Sequence, residues 1–274
     1  MRQGVRTDDA PPGVDVNAAH SARMYDYYLN GKDHYPADRA AADAALEAFP
    51  SLRLTAVENR EFLGRTVSYL VEDAGIDQFI DIGAGLPGSG NTHEIAQMLQ
   101  PRSRVVYLDN DPSVVTHARW LDKGHPSGAA VYLLGDLRKP AGILENPHLL
   151  DVLDLSRPVA VILNAVLHFL TDDDEPYDVV SHLTSALAPG SYLELSHVTS
   201  DHTPAESAAL VRAYTQAGVA LRLRSRSEVD RFFDGLDLVD PGVVDVSQWK
   251  SEHLPAPRPT IEAVSCYGGV ARVP

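Results

Sequence analysis

Residues 78–90 read Gln78-Phe79-Ile80-Asp81-Ile82-Gly83-Ala84-Gly85-Leu86-Pro87-Gly88-Ser89-Gly90 and decide the fold of this 274-residue chain. Three apolar side chains in the first five positions predict a buried strand, which the following glycines end abruptly. Asn91, with Glu94 three residues later, is typical of a helix N-cap with its capping partner. A strand, a glycine turn and a helix in this order predict a small-molecule site at the carboxyl end of the strand.

The same alternation continues along the chain and predicts an α/β fold. It favours a doubly wound, Rossmann-like, seven-stranded and mainly parallel sheet with right-handed crossovers. The predicted strands are Gln78–Ile82, Arg104–Leu108, Ala129–Leu134, Val159–Leu163, Tyr192–Ser196, Leu238–Val246 and Ala263–Val270. Pro255, Pro257 and Pro259 exclude a helical crossover before the last strand. The final two strands are therefore predicted to form a terminal antiparallel pair.

Nearly 75 residues precede the first strand, and most of them are predicted to be helical. Residues 1–18 are polar and rich in Pro, Gly and Asp, which is typical of a flexible leader. Helices are predicted over Ser21–Leu29, Pro36–Phe49 and Leu52–Asp73. Residues 19–75 thus form an N-terminal helical extension, and residues 76–274 form the Rossmann-like domain. The extension is either a lid or substrate wall, or a bundle edge that only extends the core.

The composition limits the classes of partner. A net charge of −15 disfavours nucleic acid. The single Cys266 excludes an intramolecular disulfide and fits a reducing compartment. Met1 to Asn17 lack the apolar core of a signal peptide, and no apolar run reaches the roughly 18 residues of a membrane span. We expect a cytoplasmic protein without membrane association, and nothing in the sequence indicates an oligomeric state.

The glycine turn formally matches the dinucleotide fingerprint G-x-G-x-x-G over Gly83–Gly88. Two features count against a dinucleotide. The charge of Asp81 would face an incoming pyrophosphate, and Pro87 with Ser89-Gly90 delays the helix whose N-terminus should bind it. A ligand that carries an amino acid group and no phosphate has no such conflict, because a carboxylate beside an ammonium is favourable.

Acidic residues also follow the second and third strands. Asp109 is placed to accept hydrogen bonds from ribose hydroxyls, since Asp111 before Pro112 already serves as the N-cap of the next helix. Asp136 can accept a hydrogen bond from an adenine amino group, with Leu137 packed beside the ring. The three strand ends together predict a site for an adenosine compound.

This set of motifs resembles the class I S-adenosylmethionine-dependent methyltransferases. The motifs are Asp81-Ile82-Gly83-Ala84-Gly85, Asp109, Gly135-Asp136 and Leu187-Ala188-Pro189-Gly190-Ser191-Tyr192-Leu193. Residues 22–33, 85–94 and 266–272 further resemble a bacterial branch of that class whose substrate is not generally assigned. The likeness runs from about residue 18 to the C-terminus. One departure is Pro87, which stands where the broader class usually has a third glycine.

The resemblance implies S-adenosyl-L-methionine as the cofactor. The implied cofactor-binding residues are Asp81, Gly83, Ala84, Gly85, Asp109, Asn110, Asp136, Leu137, Asn164 and Ala165. The Asn164-Ala165 turn after the fourth strand would face the sulfonium and the acceptor. It differs from the Asn-Pro-Pro-Tyr of methylases that act on adenine and glutamine amino groups. The difference disfavours adenine and glutamine as methyl acceptors.

Methyl transfer needs alignment and desolvation more than acid-base groups, because the sulfonium is already a good leaving group. His168 is the candidate base if the acceptor must lose a proton, and its alternative is a buried structural histidine. Tyr25, Tyr28 and Lys32 are candidates to close over the cofactor or acceptor, against core packing or solvation. His93 and His197 are weaker candidates for the base.

Two charged runs have ordinary explanations. The acidic residues 172–175 invite a metal site, but they more often offset the positive N-terminal end of a helix, so no metal is predicted. Arg222, Arg224 and Arg226 could meet an anionic acceptor, although a solvated face is favoured.

The leading hypothesis is therefore methyl transfer from S-adenosylmethionine to a small-molecule acceptor. The alternatives are an NAD(P)-dependent oxidoreductase and a non-catalytic relative that binds the cofactor as a regulator.

Overall fold

The computed structural model describes residues 10–118 and 124–274 of the chain. Three helices precede the sheet: α1 (Ser21–Tyr28), α2 (Pro36–Ala48) and α3 (Leu52–Glu72). Residues 1–9 of the predicted leader lie outside the described residues. Within residues 10–18, the carbonyl oxygens of Asp15 and Ala18 accept hydrogen bonds from Arg23 at 3.2 and 2.7 Å.

A mixed sheet follows, and its parallel part has the order β3-β2-β1-β4-β5. These strands are β1 (Gln78–Ile82), β2 (Arg104–Asp109), β3 (Ala129–Leu134), β4 (Ala160–Leu163) and β5 (Tyr192–Val198). In the register, Asp81 of β1 lies opposite Tyr107 of β2 and Ile162 of β4. The carboxyl ends of the parallel strands therefore meet at one edge, as the doubly wound prediction requires.

Helices connect the strands on both faces of the sheet. They are α4 (Thr92–Leu99), α5 (Pro112–Ala118), α6 (Pro140–Leu144), α7 (Pro147–Leu150), α8 (Pro176–Ser185), α9 (Pro204–Gln216) and α10 (Arg226–Asp230). Short 3₁₀ helices span Leu167–Phe169, Asp172–Asp174 and Arg231–Phe233. The helix predicted from Pro112 is described as far as Ala118, and the rest of its predicted span lies outside the described residues.

The C-terminal part of the sheet differs from the prediction of one strand over 238–246. The structure has two short strands, β6 (Asp237–Leu238) and β7 (Val244–Asp245), and both pair antiparallel with β8 (Cys266–Arg272). A turn at Asp240–Gly242 separates them, because Pro241 has no N–H for a ladder and Gly242 has a φ of +81°. The described sheet therefore has eight strands.

The start of the last strand was also predicted three residues too early. Residues Ile261–Val264 form a short helix, α11, that ends at Ser265 in a left-handed conformation. β8 then runs antiparallel to β5, between β5 and β6. The predicted terminal antiparallel pair is confirmed, with these changes in its bounds.

Alternating strand residues face two apolar cores. Ile80 packs into a core with α6, α7 and α8, while Phe79 packs on the opposite face with α3 and α4. A third core joins the N-terminal helices to α9, where Met24 and Tyr28 of α1 lie with Tyr214. The helical extension therefore adds to the core and also lies over one part of the sheet. Among the described helices, none is long and apolar enough to cross a membrane.

Candidate active site

The turn after β1 adopts backbone conformations that favour glycine. Gly83 and Gly85 have φ angles of +73° and +69°, which L side chains rarely adopt. A Cβ on Gly83 would lie 2.4 Å from Cγ2 of Val166, whereas a Cβ on Gly85 would meet no atom within 4 Å. Close packing thus requires Gly83, while Gly85 leaves open space beside the turn.

The carboxylate of Asp109 holds this turn from the end of β2. Its Oδ2 accepts a hydrogen bond from the N–H of Gly85 at 2.9 Å, and its Oδ1 accepts one from the N–H of Asp111 at 2.9 Å. Burial raises the pKa of Asp109, and these two bonds oppose the rise. Each carboxylate oxygen can accept more than one hydrogen bond, so the group can still bind a hydroxyl.

Asp81 lies below the turn and accepts a hydrogen bond from the Thr92 hydroxyl at 2.7 Å. Burial raises the pKa of Asp81 from the ordinary 3.8 to about 6, and the Thr92 bond and the Arg60 guanidinium oppose the rise. Arg60, on α3, donates hydrogen bonds to the carbonyl oxygens of Ser89 and Gly90 at 3.0 and 2.8 Å. No sequence signal marked Arg60, because its place in a long helix does not reveal which loop it faces.

A further carboxylate, that of Asp136, follows the end of β3. Asp136 pairs with Arg138, whose Nε and Nη2 lie 2.9 Å and 2.8 Å from its two oxygens. This hydrogen bond is the main reason that the pKa of Asp136 lies below its ordinary value. Leu137 beside it is buried, so a charged carboxylate and an apolar side chain lie next to each other after β3.

Asn164 and Ala165 end β4 within a hydrogen-bonded network. The Asn164 amide oxygen accepts from the Asn59 amide and from Oγ of Ser196 at 3.1 Å, and its nitrogen donates to Glu194 at 3.3 Å. The N–H of Ala165 donates to Oγ of Ser196 at 2.9 Å. Ala165 has a φ of +54°, which is uncommon for a residue with a Cβ and is typical of strained functional turns.

These strand ends enclose a cavity of about 350 Å³, called the larger cavity. All ten residues predicted to bind the cofactor line it: Asp81, Gly83, Ala84, Gly85, Asp109, Asn110, Asp136, Leu137, Asn164 and Ala165. Arg60 and His20 line it as well, and neither was predicted. The structure therefore brings together every predicted cofactor residue, and their contacts with the cofactor stay a prediction.

Helix α1 is tied to the loop after β2 and covers the larger cavity. Nδ1 of His20 and Nη1 of Arg23 lie 3.3 and 3.6 Å from Oδ2 of Asp111. Arg23 also pairs with Asp38 at 3.1 Å, and both side chains are almost fully buried. The ion pairs of Arg23 and the contact of His20 with Asp111 hold the start of α1 against the sheet edge.

A second cavity of about 40 Å³, called the smaller cavity, adjoins the larger one. Four residues line both cavities: Ser21, Tyr25, Ala165 and Phe169. The predicted residues Tyr28 and His168 line the smaller cavity. Lys32 is exposed and lines neither cavity, so its role in closing over the site stays a prediction. His93 and His197 line neither cavity.

His168 is a buried, neutral imidazole. Burial is the main reason that its pKa lies well below 6.5, and His197 and Arg224 lower it further. Among the described residues, its Nδ1 has no hydrogen-bond partner. His168 can therefore accept a proton only from a comparatively acidic group, and its role as a base stays a prediction.

Arg224 is fully buried, so the expectation of a solvated face is wrong for this residue. Its Nη1 donates to the carbonyl oxygen of Leu167 at 3.1 Å and to Nε2 of His197 at 3.2 Å. Its Nη2 donates to the carbonyl oxygen of Leu170 at 3.1 Å. The guanidinium thus satisfies the backbone on both sides of His168, which explains why the charge is buried.

The acidic run contributes to the same structure. Asp172 accepts hydrogen bonds from Arg222 at 3.2 Å and from Arg224 at 3.0 Å. Asp174 accepts one from the N–H of Thr171 at 2.8 Å. Over residues 10–118 and 124–274, no group of three or more His, Cys, Asp or Glu residues is arranged to hold a metal ion.

Comparison with known proteins fits this geometry. Residues 7–274 match the family model described as S-adenosyl methyltransferase. The match confirms the predicted reaction class and the predicted cofactor, S-adenosylmethionine. It gives no support to the nicotinamide-dependent alternative. A search of curated proteins found no significant match.

Two solved structures are similar over almost the whole chain. A DUF574 family protein from Streptomyces avermitilis is 43% identical, with 95% of this chain and 99% of that one covered and a TM-score of 0.90. A protein from Thermobifida fusca, provisionally assigned as a methyltransferase, is 39% identical, with 97% and 98% covered and a TM-score of 0.89.

A more distant structure shares the fold. The magnesium protoporphyrin IX methyltransferase of Synechocystis PCC 6803, solved with bound S-adenosylhomocysteine, is 15% identical, with 81% of this chain and 87% of that one covered and a TM-score of 0.51. This likeness confirms the predicted Rossmann-like architecture.

Proposed function

Because the chain belongs to the S-adenosyl methyltransferase family, we propose that it binds S-adenosylmethionine in the larger cavity and methylates a small molecule. The observation that carries this proposal is the convergence of ten predicted residues from four strand ends on one cavity. Its volume of about 350 Å³ lies within the usual range of ligand sites, roughly 300–1,000 Å³.

The donors and acceptors of the larger cavity fit an adenosine compound without phosphate. The N–H of Asn91 is bonded to Glu94 at 3.0 Å, and the N–H of Gly88 is bonded to Asn91 at 3.2 Å. These groups at the start of α4 are therefore occupied and do not offer a site for a diphosphate. The carboxylates of Asp81 and Asp109 instead suit an ammonium group and ribose hydroxyls.

Each part of the cofactor then has a proposed partner. Asp109 binds the ribose, while Asn110, Asp136 and Leu137 surround the adenine. The methionine portion lies along the turn of residues 83–85, with its ammonium toward Asp81. Arg60 is the one cation from α3 that faces this portion among the described lining residues, so it suits the carboxylate. Asn164 and Ala165 lie beside the sulfonium.

A small molecule is the proposed acceptor because the cavity beside the proposed sulfonium position is small, about 40 Å³. The smaller cavity adjoins the sulfonium end, and the net charge of −15 disfavours nucleic acid. The enzyme's contribution is to align the acceptor and exclude water, since the leaving group needs no activation. The cytoplasmic location expected from the single Cys266 stays a prediction.

Titration calorimetry with S-adenosylhomocysteine and with NAD tests the cofactor assignment. We expect S-adenosylhomocysteine to bind the native protein and NAD to bind at least about 100-fold more weakly, because the N–H groups of Gly83, Gly85 and Gly88 are already bonded within the protein. Tight binding of NAD alone would contradict the proposal. Transfer of radiolabelled methyl groups to a metabolite extract tests turnover, and its absence despite cofactor binding would favour a non-catalytic relative.

A further inference from the structure

The smaller cavity is placed where a methyl acceptor has to lie. It shares Ser21, Tyr25, Ala165 and Phe169 with the larger cavity, so ligands in the two cavities would lie next to each other. Ala165 is at the strand end proposed to face the sulfonium. An in-line transfer requires the acceptor atom to approach the methyl carbon from the side opposite the sulfur, and the smaller cavity is the space that adjoins the larger one at Ala165.

No charged residue occurs among the described residues that line the smaller cavity. They are Ser21, Tyr25, Tyr28, Leu52, Thr55, Ala56, Asn59, Ala165, His168, Phe169, Val198, Leu210, Tyr214, Leu221 and Cys266. A carboxylate or an ammonium entering this cavity would lose its hydration without gaining a counter-ion, which is costly. The cavity therefore selects an uncharged, mainly apolar molecule.

A pair of tyrosines supplies a polar contact within these walls. The hydroxyls of Tyr28 and Tyr214 lie 3.0 Å apart and form a hydrogen bond. Only one proton is used in that bond, so the pair retains one O–H that can donate to a ligand. Burial raises the pKa of Tyr28 well above 10.0 and that of Tyr214 to about 12, so both stay neutral.

The available base limits the chemistry of the acceptor. His168 is the imidazole of this cavity, and it is neutral and weakly basic because it is buried beside Arg224. Burial raises the pKa of a hydroxyl in this cavity, as it does for Tyr28 and Tyr214. A phenol, whose pKa in water is about 10, nevertheless stays far more acidic than an aliphatic alcohol, so it is the hydroxyl that a weak base can deprotonate. An aliphatic amine would enter as a cation and meet the uncharged walls.

We propose that the smaller cavity is the acceptor subsite and takes a neutral molecule with a phenol-type hydroxyl. The inference rests on the proposed function. In the transfer, an oxygen lone pair of the hydroxyl forms the O–CH₃ bond while the S–CH₃ bond breaks and its electron pair stays on sulfur. The hydroxyl proton passes to the imidazole of His168 and leaves to solvent with the product, so the products are an aryl methyl ether, S-adenosylhomocysteine and a proton.

The smaller cavity has to widen before it can hold an aromatic ring. Its volume of about 40 Å³ is well below the roughly 150 Å³ that holds a benzene ring. A ring therefore enters only when the walls from α1 and α9 move apart. The helices meet through Tyr28 and Tyr214, so acceptor binding is expected to change the contact between these two side chains.

Three phenols of similar size test the selectivity: p-cresol, 4-hydroxybenzoate and tyramine. The last two add an anionic and a cationic group to the same ring. Saturation-transfer NMR on the protein saturated with S-adenosylhomocysteine measures their binding, and radiolabelled S-adenosylmethionine measures their methylation. We expect p-cresol to bind at least about tenfold more tightly than either charged compound, because the walls offer no counter-ion. Equal binding of all three, tighter binding of a charged one, or no binding of p-cresol would overturn the inference.

Paired variants locate the binding. Val198→Phe fills the smaller cavity, and Val57→Phe is its control on the exposed face of α3. Tyr214→Phe removes one hydroxyl of the pair, and Tyr27→Phe removes a hydroxyl that bonds to Asp43 at the surface. We expect Val198→Phe and Tyr214→Phe to weaken p-cresol binding at least about fivefold and the controls to leave it unchanged.

The affinity for S-adenosylhomocysteine distinguishes a failure of the acceptor subsite from a failure of the proposed function. If the affinity for S-adenosylhomocysteine stays within twofold of the native value in all four variants, a loss of p-cresol binding is due to the change in the smaller cavity. If native protein binds S-adenosylhomocysteine but Val198→Phe binds p-cresol normally, the acceptor subsite is wrong and the proposed function survives. If native protein does not bind S-adenosylhomocysteine, both are wrong.

Discussion

The two cavities adjoin and share four residues, yet they differ in charge. The larger cavity contains Arg60, Asp81, Asp109, Asp136 and Arg138. The described lining of the smaller cavity contains no charged side chain. The difference supports the proposal that the larger cavity binds a polar, charged ligand and the smaller one a neutral ligand, and Ala165 lines both.

The largest effect expected from this contrast is a pH dependence of folding that arises in the larger cavity. The pKa of Asp81 is about 6 in the folded chain against an ordinary 3.8. Protonated Asp81 therefore favours folding fully below about pH 4, and this contribution is lost as the pH rises through 6. We expect Asp81→Asn, which does not titrate, to gain up to about 3 kcal/mol of unfolding free energy relative to native protein between pH 4 and 7.

Urea unfolding at pH 4, 5, 6 and 7 measures this difference. The matched control is Asp77→Asn, since Asp77 lies at the opposite end of the same strand and its side chain is 36% exposed. A difference between Asp81→Asn and native protein that does not change with pH would contradict the assigned pKa.

The carboxylates of the larger cavity should also differ in their importance for the cofactor. Asp109→Ala removes the acceptor that holds Gly85 and the proposed ribose contact, so we expect the S-adenosylhomocysteine Kd to rise about 100-fold. Asp136→Ala should raise it only about tenfold, because that carboxylate is partly exposed and already paired with Arg138. Titration calorimetry measures both. An equal rise of the Kd in the two variants would contradict the greater importance of Asp109.

A smaller effect distinguishes the two glycines of the turn. Gly83→Ala combines a positive φ with a clash against Val166, so we expect the free energy of unfolding to fall by about 2 kcal/mol. Gly85→Ala meets open space, so the loss should be about 1 kcal/mol from the φ angle alone. Chemical denaturation gives both values. A larger loss for Gly85→Ala would contradict the packing described for Gly83.

The smallest effect is expected outside both cavities. Lys32 is exposed and lines neither of them, so Lys32→Ala should change kcat/KM by less than about twofold, as for most exposed charges. Steady-state methyl transfer measures the ratio. A loss of tenfold or more would place Lys32 over the bound ligands, as the sequence predicted.

The acidic residues of the larger cavity could be predicted from periodicity and strand order, whereas Asn110, Asn164 and Ala165 were implied by the family resemblance. Asp81, Asp109 and Asp136 each follow or end a predicted strand, and parallel strands bring their carboxyl ends to one edge. Local patterns therefore determined which side chains would meet, even before any contact was known.

The smaller cavity could not be predicted in the same way. Its tyrosine pair joins Tyr28 and Tyr214, which are 186 positions apart and meet only because α1 packs on α9. The burial of Arg224 depends on four backbone and side-chain acceptors in other segments. The predicted sixth strand is split at the Asp240–Gly242 turn, because Pro241 interrupts the ladder although apolar residues continue on both sides of it.

The position of α1 has a consequence for the timing of turnover. Ser21 and Tyr25 lie one helical turn apart and line both cavities. A displacement of this turn would widen both cavities in the same event. Departure of the methylated product and replacement of the spent cofactor would then follow one rate constant, so each catalytic cycle would have a single exchange step.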